Sequence, residues 1–181
     1  MAILLGQEGT TDARYFLRTA AVIHRVRAKG LLAEGKVDDA VAEAEMAIAI
    51  EAEDVDIVLA LCSDFEKASA RDRAEPLYAV MHQRYADACE EFPASAFAHN
   101  GLAWLNVKTN HDLEEALIHA KRAVELMPDD AAPIDTLALV HFRRGEHDEA
   151  MRHARRCVEL LPGSTHARTQ LREFEQAASA D

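Results

Sequence analysis

Nine histidines, three cysteines and 32 acidic residues are the side chains of this 181-residue chain with chemistry to offer, and their spacing limits what they can do. Metal binding by a local motif needs spacings such as His-Glu-x-x-His or Cys-x-x-Cys, and neither occurs. His119 and His153 stand 34 residues apart in matching contexts. On neighbouring helices they are expected about 10 Å apart, too far to share one ion without movement. Cys62, Cys89 and Cys157 have no redox or metal spacing, and their odd number points to reduced thiols. Nucleophilic chemistry lacks a Gly-x-Ser-x-Gly turn or a phosphate-cradling glycine loop. The carboxylate pairs Glu90-Glu91 and Glu114-Glu115 are adjacent on helices and point in different directions. The expectation is a chain with no metal, no cofactor and no catalytic activity. One charged pattern remains: Arg14, Arg18, Arg25 and Lys29 recur at intervals of four, seven and four, one face of a helix. Such a stripe can hold an acidic peptide or a terminal carboxylate.

The elements that must carry these residues are set by a repeated phrase. Ala-Val-Glu-Leu-Met-Pro, ending at Pro128, returns as Cys-Val-Glu-Leu-Leu-Pro, ending at Pro162, 34 residues on. Between them lie Leu137-Ala138, then Gly145, then Asp148-Glu149-Ala150. Leu137, Ala138 and His141 share a helix face; Gly145 can end that helix in the left-handed conformation; Ala150, Ala154 and Cys157 form the stripe of a second helix. Two short antiparallel helices per 34 residues cannot bury their apolar faces alone, so neighbouring pairs must stack.

This pattern resembles the tetratricopeptide repeat. The resemblance implies an all-α solenoid of about four helix pairs plus a C-terminal capping helix, wound as a right-handed superhelix. It covers residues 1–181 as one domain, with units at about 12–53, 54–95, 96–130 and 131–164 and a cap over 164–178. In the first unit Gly35 ends a helix and Asp38-Asp39-Ala40 echo Asp148-Glu149-Ala150, while Arg27 stands in the place of Leu137. In the second, Leu61, Cys62 and Phe65 match Leu137, Ala138 and His141. There Ala68 to Pro76 is expected to replace the short turn, with Asp72…Glu75 as a capping box and Pro76 in the first turn. Leu77, Met81, Tyr85, Ala88 and Phe92 would form the following stripe, and Ala88 would match Ala47. In the third, Leu102-Ala103, Ala123 and Pro128 fall into register, with Asn110 where Gly145 stands. Ala167, Leu171 and Phe174 give the last helix its apolar face. His141 and His147 stand where the family usually carries an aromatic residue.

The resemblance also implies a function: non-catalytic binding of a peptide or partner protein in a concave groove lined by the first helix of each pair. Matched residue by residue, that groove takes Arg25 and Lys29; Leu59, Ser63 and Glu66; Asn100, Trp104 and Lys108; and Asp135, Leu139 and Arg143. Some family members clamp a peptide carboxylate with a set of Lys, Asn and Arg residues, which this sequence does not reproduce in full. The alternative reading is an assembly scaffold that pairs with a second copy of itself or belongs to a larger multidomain protein. A net charge of −12 argues against a nucleic-acid backbone as partner. No apolar run approaches the roughly 20 residues that span a membrane, so no membrane insertion and a cytoplasmic location are expected. The abrupt Ile3-Leu4-Leu5 start, followed by Gly6, also fits a piece of a longer exported protein.

Overall fold

The computed structural model describes residues 8–51 and 54–179, with backbone alone for 8–14. Among these residues every regular element is a helix: α1 Glu8–Ala33, α2 Val37–Ile50, α3 Val55–Lys67, α4 Arg71–Glu91, α5 Ala96–Thr109, α6 Leu113–Leu126, α7 Ala131–Arg143, α8 His147–Leu160 and α9 Thr165–Ala178. The chain divides into two compact units, 1–81 and 82–181, and the division falls inside α4. In the first unit α1 packs on α2 and α3; in the second, α5 packs on α6 and α7, α7 on α8, and α8 on α9. Arg14, Ala52 and Ile3-Leu4-Leu5 lie outside the residues whose side chains are described.

Three residues separate the helices of each pair, and one hydrogen-bond pattern closes all four turns. Lys36, Ala70, His111 and Glu146 N–H donate to the carbonyls of Leu31, Phe65, Asn106 and His141, each at 2.9 Å. This six-to-one bond of the Schellman motif needs a left-handed residue just before its donor. Gly35 (φ 73°), Ser69 (φ 57°), Asn110 (φ 55°) and Gly145 (φ 78°) supply it. The second helix pair, α3 and α4, therefore has the short turn after all, built on a serine. α4 starts at Arg71, so Asp72 lies inside the helix and forms no capping box, and Pro76 is its sixth residue. In the third unit the extra residue follows Asn110, and it gives α6 a side-chain cap. Asp112 accepts from the N–H of Glu114 (3.1 Å) and Glu115 (2.9 Å), whereas Lys36 and Glu146 cap α2 and α8 with no side-chain bond.

Three of the four second helices, α2, α6 and α8, carry small buried residues at their fourth, eighth and eleventh positions. These are Ala40, Ala44 and Ala47 in α2; Ala116, Ala120 and Ala123 in α6; and Ala150, Ala154 and Cys157 in α8, all buried. Counted the same way from Arg71, α4 presents Ala74, Tyr78 and Met81, also buried. Met81, not Ala88, is thus the counterpart of Ala47, and the 34-residue period holds up to this point. The surplus of the long second unit is the tail of α4, Tyr85–Glu91, seven residues beyond the 14 of α2, α6 and α8. Its buried side chains are Tyr85 and Cys89; Phe92, expected to close the stripe, is 56% exposed. At the other end α9 is capped by Ser164, which accepts from Ala167 N–H (3.2 Å), and buries Ala167 and Phe174. Phe174 stacks on Phe142 with ring centroids 4.3 Å apart.

Gly101 marks the place where α5 makes room for that tail. A Cβ there would lie 2.2 Å from Cε1 of Tyr85 and within 2.8 Å of two further ring atoms. Alanine favours a helix over glycine by about 1 kcal/mol, while overpacking costs about 1–3 kcal/mol. Gly101→Ala should therefore lower stability by up to about 2 kcal/mol in urea unfolding, and adding Tyr85→Leu should recover it. A stabilised Gly101→Ala variant would contradict this packing.

Candidate functional site

The predicted residues fall on first helices in each unit, in different electrostatic settings. On α1 and α3, the guanidinium of Arg25 (Nη1) and the Nζ of Lys29 converge on the carboxylate of Asp64, at 3.8 and 3.9 Å. Asp64 is 8% exposed, and its Oδ2 accepts no hydrogen bond. Arg18 lies 3.9 Å from Asp54, and Glu66 lies 3.9 Å from Arg71. Leu59 and Ser63 are half-buried beside them. The basic stripe is thus matched by acids of the next first helix, Asp64 above all, which lies between Ser63 and Phe65 with no sequence signal of its own. Arg27, in the place of a core leucine, is exposed and pairs with Glu43 at 3.0 Å.

On α5 and α7 the face is less balanced. Asn100, Trp104 and Lys108 recur every four residues on α5. Trp104 is half-buried against the cluster of Ala103, Val107, Leu137 and Val140, and Leu139 packs on that same cluster. The Nζ of Lys108 lies over the indole, 4.9 Å from its centroid, a cation–π contact. Arg143 is exposed, and Asp135 faces His166 of α9 at 3.4 Å. Asn100 stands out: its Oδ1 is buried and has no hydrogen-bond partner. A buried acceptor left unpaired costs about 1–3 kcal/mol.

The histidines meet within helix pairs, not between units. His119 lies against His99, with the two Nδ1 atoms 2.8 Å apart. His153 stacks on His141 with centroids 5.5 Å apart and planes 4° from parallel. His141 donates from Nδ1 to Glu146 (2.5 Å), and Arg152 reaches both Glu149 and the Nε2 of His153 (3.2 Å). His147 sits edge-on to Phe142, as an aromatic substitute would. Around His141 and His153 a cleft of about 510 Å³ opens, lined also by Lys121, Glu125, Leu137 and Arg152. The signal for these pairs was the repeated Glu-x-x-x-His of α6 and α8, ending at His119 and His153. Each of those histidines had to be matched with the first helix of its own pair.

Solved structures share this architecture. The first TPR domain of the human RPAP3 protein is 17% identical over 70% of this chain and 93% of that one, with a TM-score of 0.53. TTC0263, a thermophilic TPR protein of Thermus thermophilus, is 20% identical over 88% of this chain and 83% of that one, with a TM-score of 0.52. The chain has the tetratricopeptide-repeat fold. No protein-family model matches the sequence, and no curated protein does. Among the described residues of these tetratricopeptide-repeat units, no helix is long and apolar enough to cross a membrane.

Burial, then the nearby Arg152 and His141, push His153 down to about 4. The unfolded chain takes up that proton near the ordinary value of 6.5, so acidification between 6.5 and 4 favours unfolding. The hydrogen bond from His141, then Arg144, hold Glu146 below its usual range. Its contribution is present above the unfolded carboxylate value and is lost as pH falls through the folded one. Both slopes have the same sign. Stability should fall by about 2 kcal/mol between pH 7 and 4.5. In thermal melts over that range His153→Phe, which cannot charge, should decline less steeply; equal slopes would contradict the assignment.

Proposed function

We propose that the chain is a non-catalytic interaction module that binds a peptide or partner segment on the face of α5 and α7. Asn100, Trp104, Lys108, Asp135, Leu139 and Arg143 are the contact residues. The observation that carries this reading is the buried, unpartnered Oδ1 of Asn100 beside a half-buried tryptophan. Asn100 is itself only half-buried, so rotation of its amide toward the surface would let a peptide N–H satisfy that acceptor while the peptide's side chains lie against the indole. Trp104 is the only tryptophan of the chain, and Trp and Arg are the residues most enriched at interface hot spots. Exposed Lys108 and Arg143 select for an acidic or C-terminal segment. In the first unit, Arg25, Lys29, Leu59, Ser63 and Glu66 on α1 and α3 are a weaker candidate surface of their own, because Asp64 already draws on both cations.

Trp104 reports on its own site. Peptides selected from a displayed random library should shift its fluorescence on binding and be enriched in acidic residues. Lys108→Glu with Arg143→Glu, both exposed, should weaken them about tenfold or more while leaving helicity intact. Peptides that bind the variant equally well, with Trp104 emission unmoved, would refute the assignment.

A second reading is favoured by α1. Tyr15, Val22 and Val26 recur at i, i+7 and i+11, with Phe16 and Ile23 beside them, and all five are exposed, from 39% to 70%. They lie opposite buried Ala21, Ala28 and Leu32. An apolar face of this extent supports self-association, the scaffold reading. Sedimentation should show a concentration-dependent mass that Ile23→Glu with Val26→Glu returns to the monomer; a monomer at every concentration would dismiss it.

A further inference from the structure

The seven surplus residues of α4 bring a thiol to a histidine pair. The Sγ of Cys89 and one ring nitrogen each of His99 and His119 lie within 4.8 Å of one another. Cys89 and His99 are buried and His119 is half-buried. They come from three helices, α4, α5 and α6, so no local spacing betrays them.

The protons define the pair. His99 Nε2 lies 3.2 Å from the carbonyl of Pro93, which can only accept, so Nε2 carries the proton and the Nδ1 of a neutral His99 is a lone pair. His119 Nδ1, 2.8 Å away, must then donate to it. A ring whose far nitrogen is held by a backbone carbonyl is the arrangement that orients ligating histidines in metal sites. Burial, then His99, lower the basicity of His119 and keep it neutral, as a ligand must be, while burial raises the Cys89 thiol to about 11. Glu115, one turn before His119 on α6, adds negative charge toward it.

We propose that Cys89, His99 and His119 form a site for Zn²⁺, with both Nδ1 atoms and the Cys89 thiolate as ligands and a fourth position for water. The ion takes the place of the proton between the imidazoles. That proton moves to Nε2 of His119, and the thiol proton is released to solvent. Tetrahedral ligation at Zn–N of about 2.0–2.1 Å sets the two nitrogens about 3.3 Å apart, so they separate by roughly 0.5 Å. One mixed sulfur–nitrogen donor set suits zinc over magnesium or calcium. The cluster of His141, Glu149 and His153 differs, because Arg152 already lies on both Glu149 and His153. Bound zinc would tie the tail of α4 to α5 and α6. Because one thiol proton leaves per ion, affinity should rise about tenfold per pH unit below the thiol's range.

Cobalt(II) serves as the spectroscopic probe. Titrated into the reduced 181-residue chain, it should saturate at one ion with the visible bands of a tetrahedral centre and a near-ultraviolet thiolate-to-cobalt charge-transfer band, both erased by one equivalent of Zn²⁺. Cys89→Ser should abolish the charge-transfer band, and His119→Gln should weaken binding tenfold or more. His141→Gln with His153→Gln should leave the spectrum unchanged. No charge-transfer band in the wild type, or one that survives in Cys89→Ser, overturns the proposal, as does equal loss in the His141/His153 variant. If Cys89→Ser does not fold, alkylation of the wild type decides. Zn²⁺ should slow modification of Cys89 at least tenfold relative to Cys62 and Cys157, and equal rates with and without zinc overturn the site.

Discussion

Close contact between the two helices of each pair is the constraint from which the rest of this structure follows. An α-helix can approach another to about 8 Å only where its side chains are small. Ala116, Ala120 and Ala123 in α6, and Ala150, Ala154 and Cys157 in α8, provide that seam and are buried in it. With the seam in place, the three-residue turn must reverse the chain at once, and the Schellman bond with its left-handed residue is the economical solution. The first helix then buries larger side chains, Leu102 and Leu105 or Leu137 and Val140, on the sides left open. Polar and aromatic positions one step round the first helices are left to meet solvent or a ligand.

The one second helix without the full seam shows what the constraint controls. α4 has Tyr78 and Met81 where its counterparts have Ala or Cys, and it runs seven residues longer. Those residues are not an inert insertion. Tyr85 occupies the space that Gly101 vacates, and Cys89 reaches the imidazoles of His99 and His119. A helix of 21 residues keeps its face because seven residues are close to two turns.

How much of this the sequence carried depends on the interaction involved. Helix pairs three and four were legible because their turns use Asn110 and Gly145 and their stripes repeat at 34 or 35 residues. The second turn was not, since Ser69 adopts a conformation that serine seldom signals, and Pro76 and Asp72 look like the start of a helix that in fact begins at Arg71. The eleven predicted contact residues all lie on first helices, but charge balance was hidden. Asp64 comes to Arg25 and Lys29 from 35 or more positions away, and no periodicity marks a lone buried acid. The His99–His119 pair was missed for the reverse reason: the repeat directs attention to His119 and His153, which are equivalent, whereas contacts join residues that are not.

The face of α5 and α7 is the centre of the functional account, and amide hydrogen exchange tests it most directly. The chain would be compared alone and saturated with a selected acidic peptide, read by mass spectrometry on segments covering each helix. The account predicts added protection along α5 and α7, around Asn100, Trp104 and Arg143, with α6 and α8 unchanged. Protection confined to α1, or to the exposed sides of α6 and α8, would contradict it and move the binding surface elsewhere.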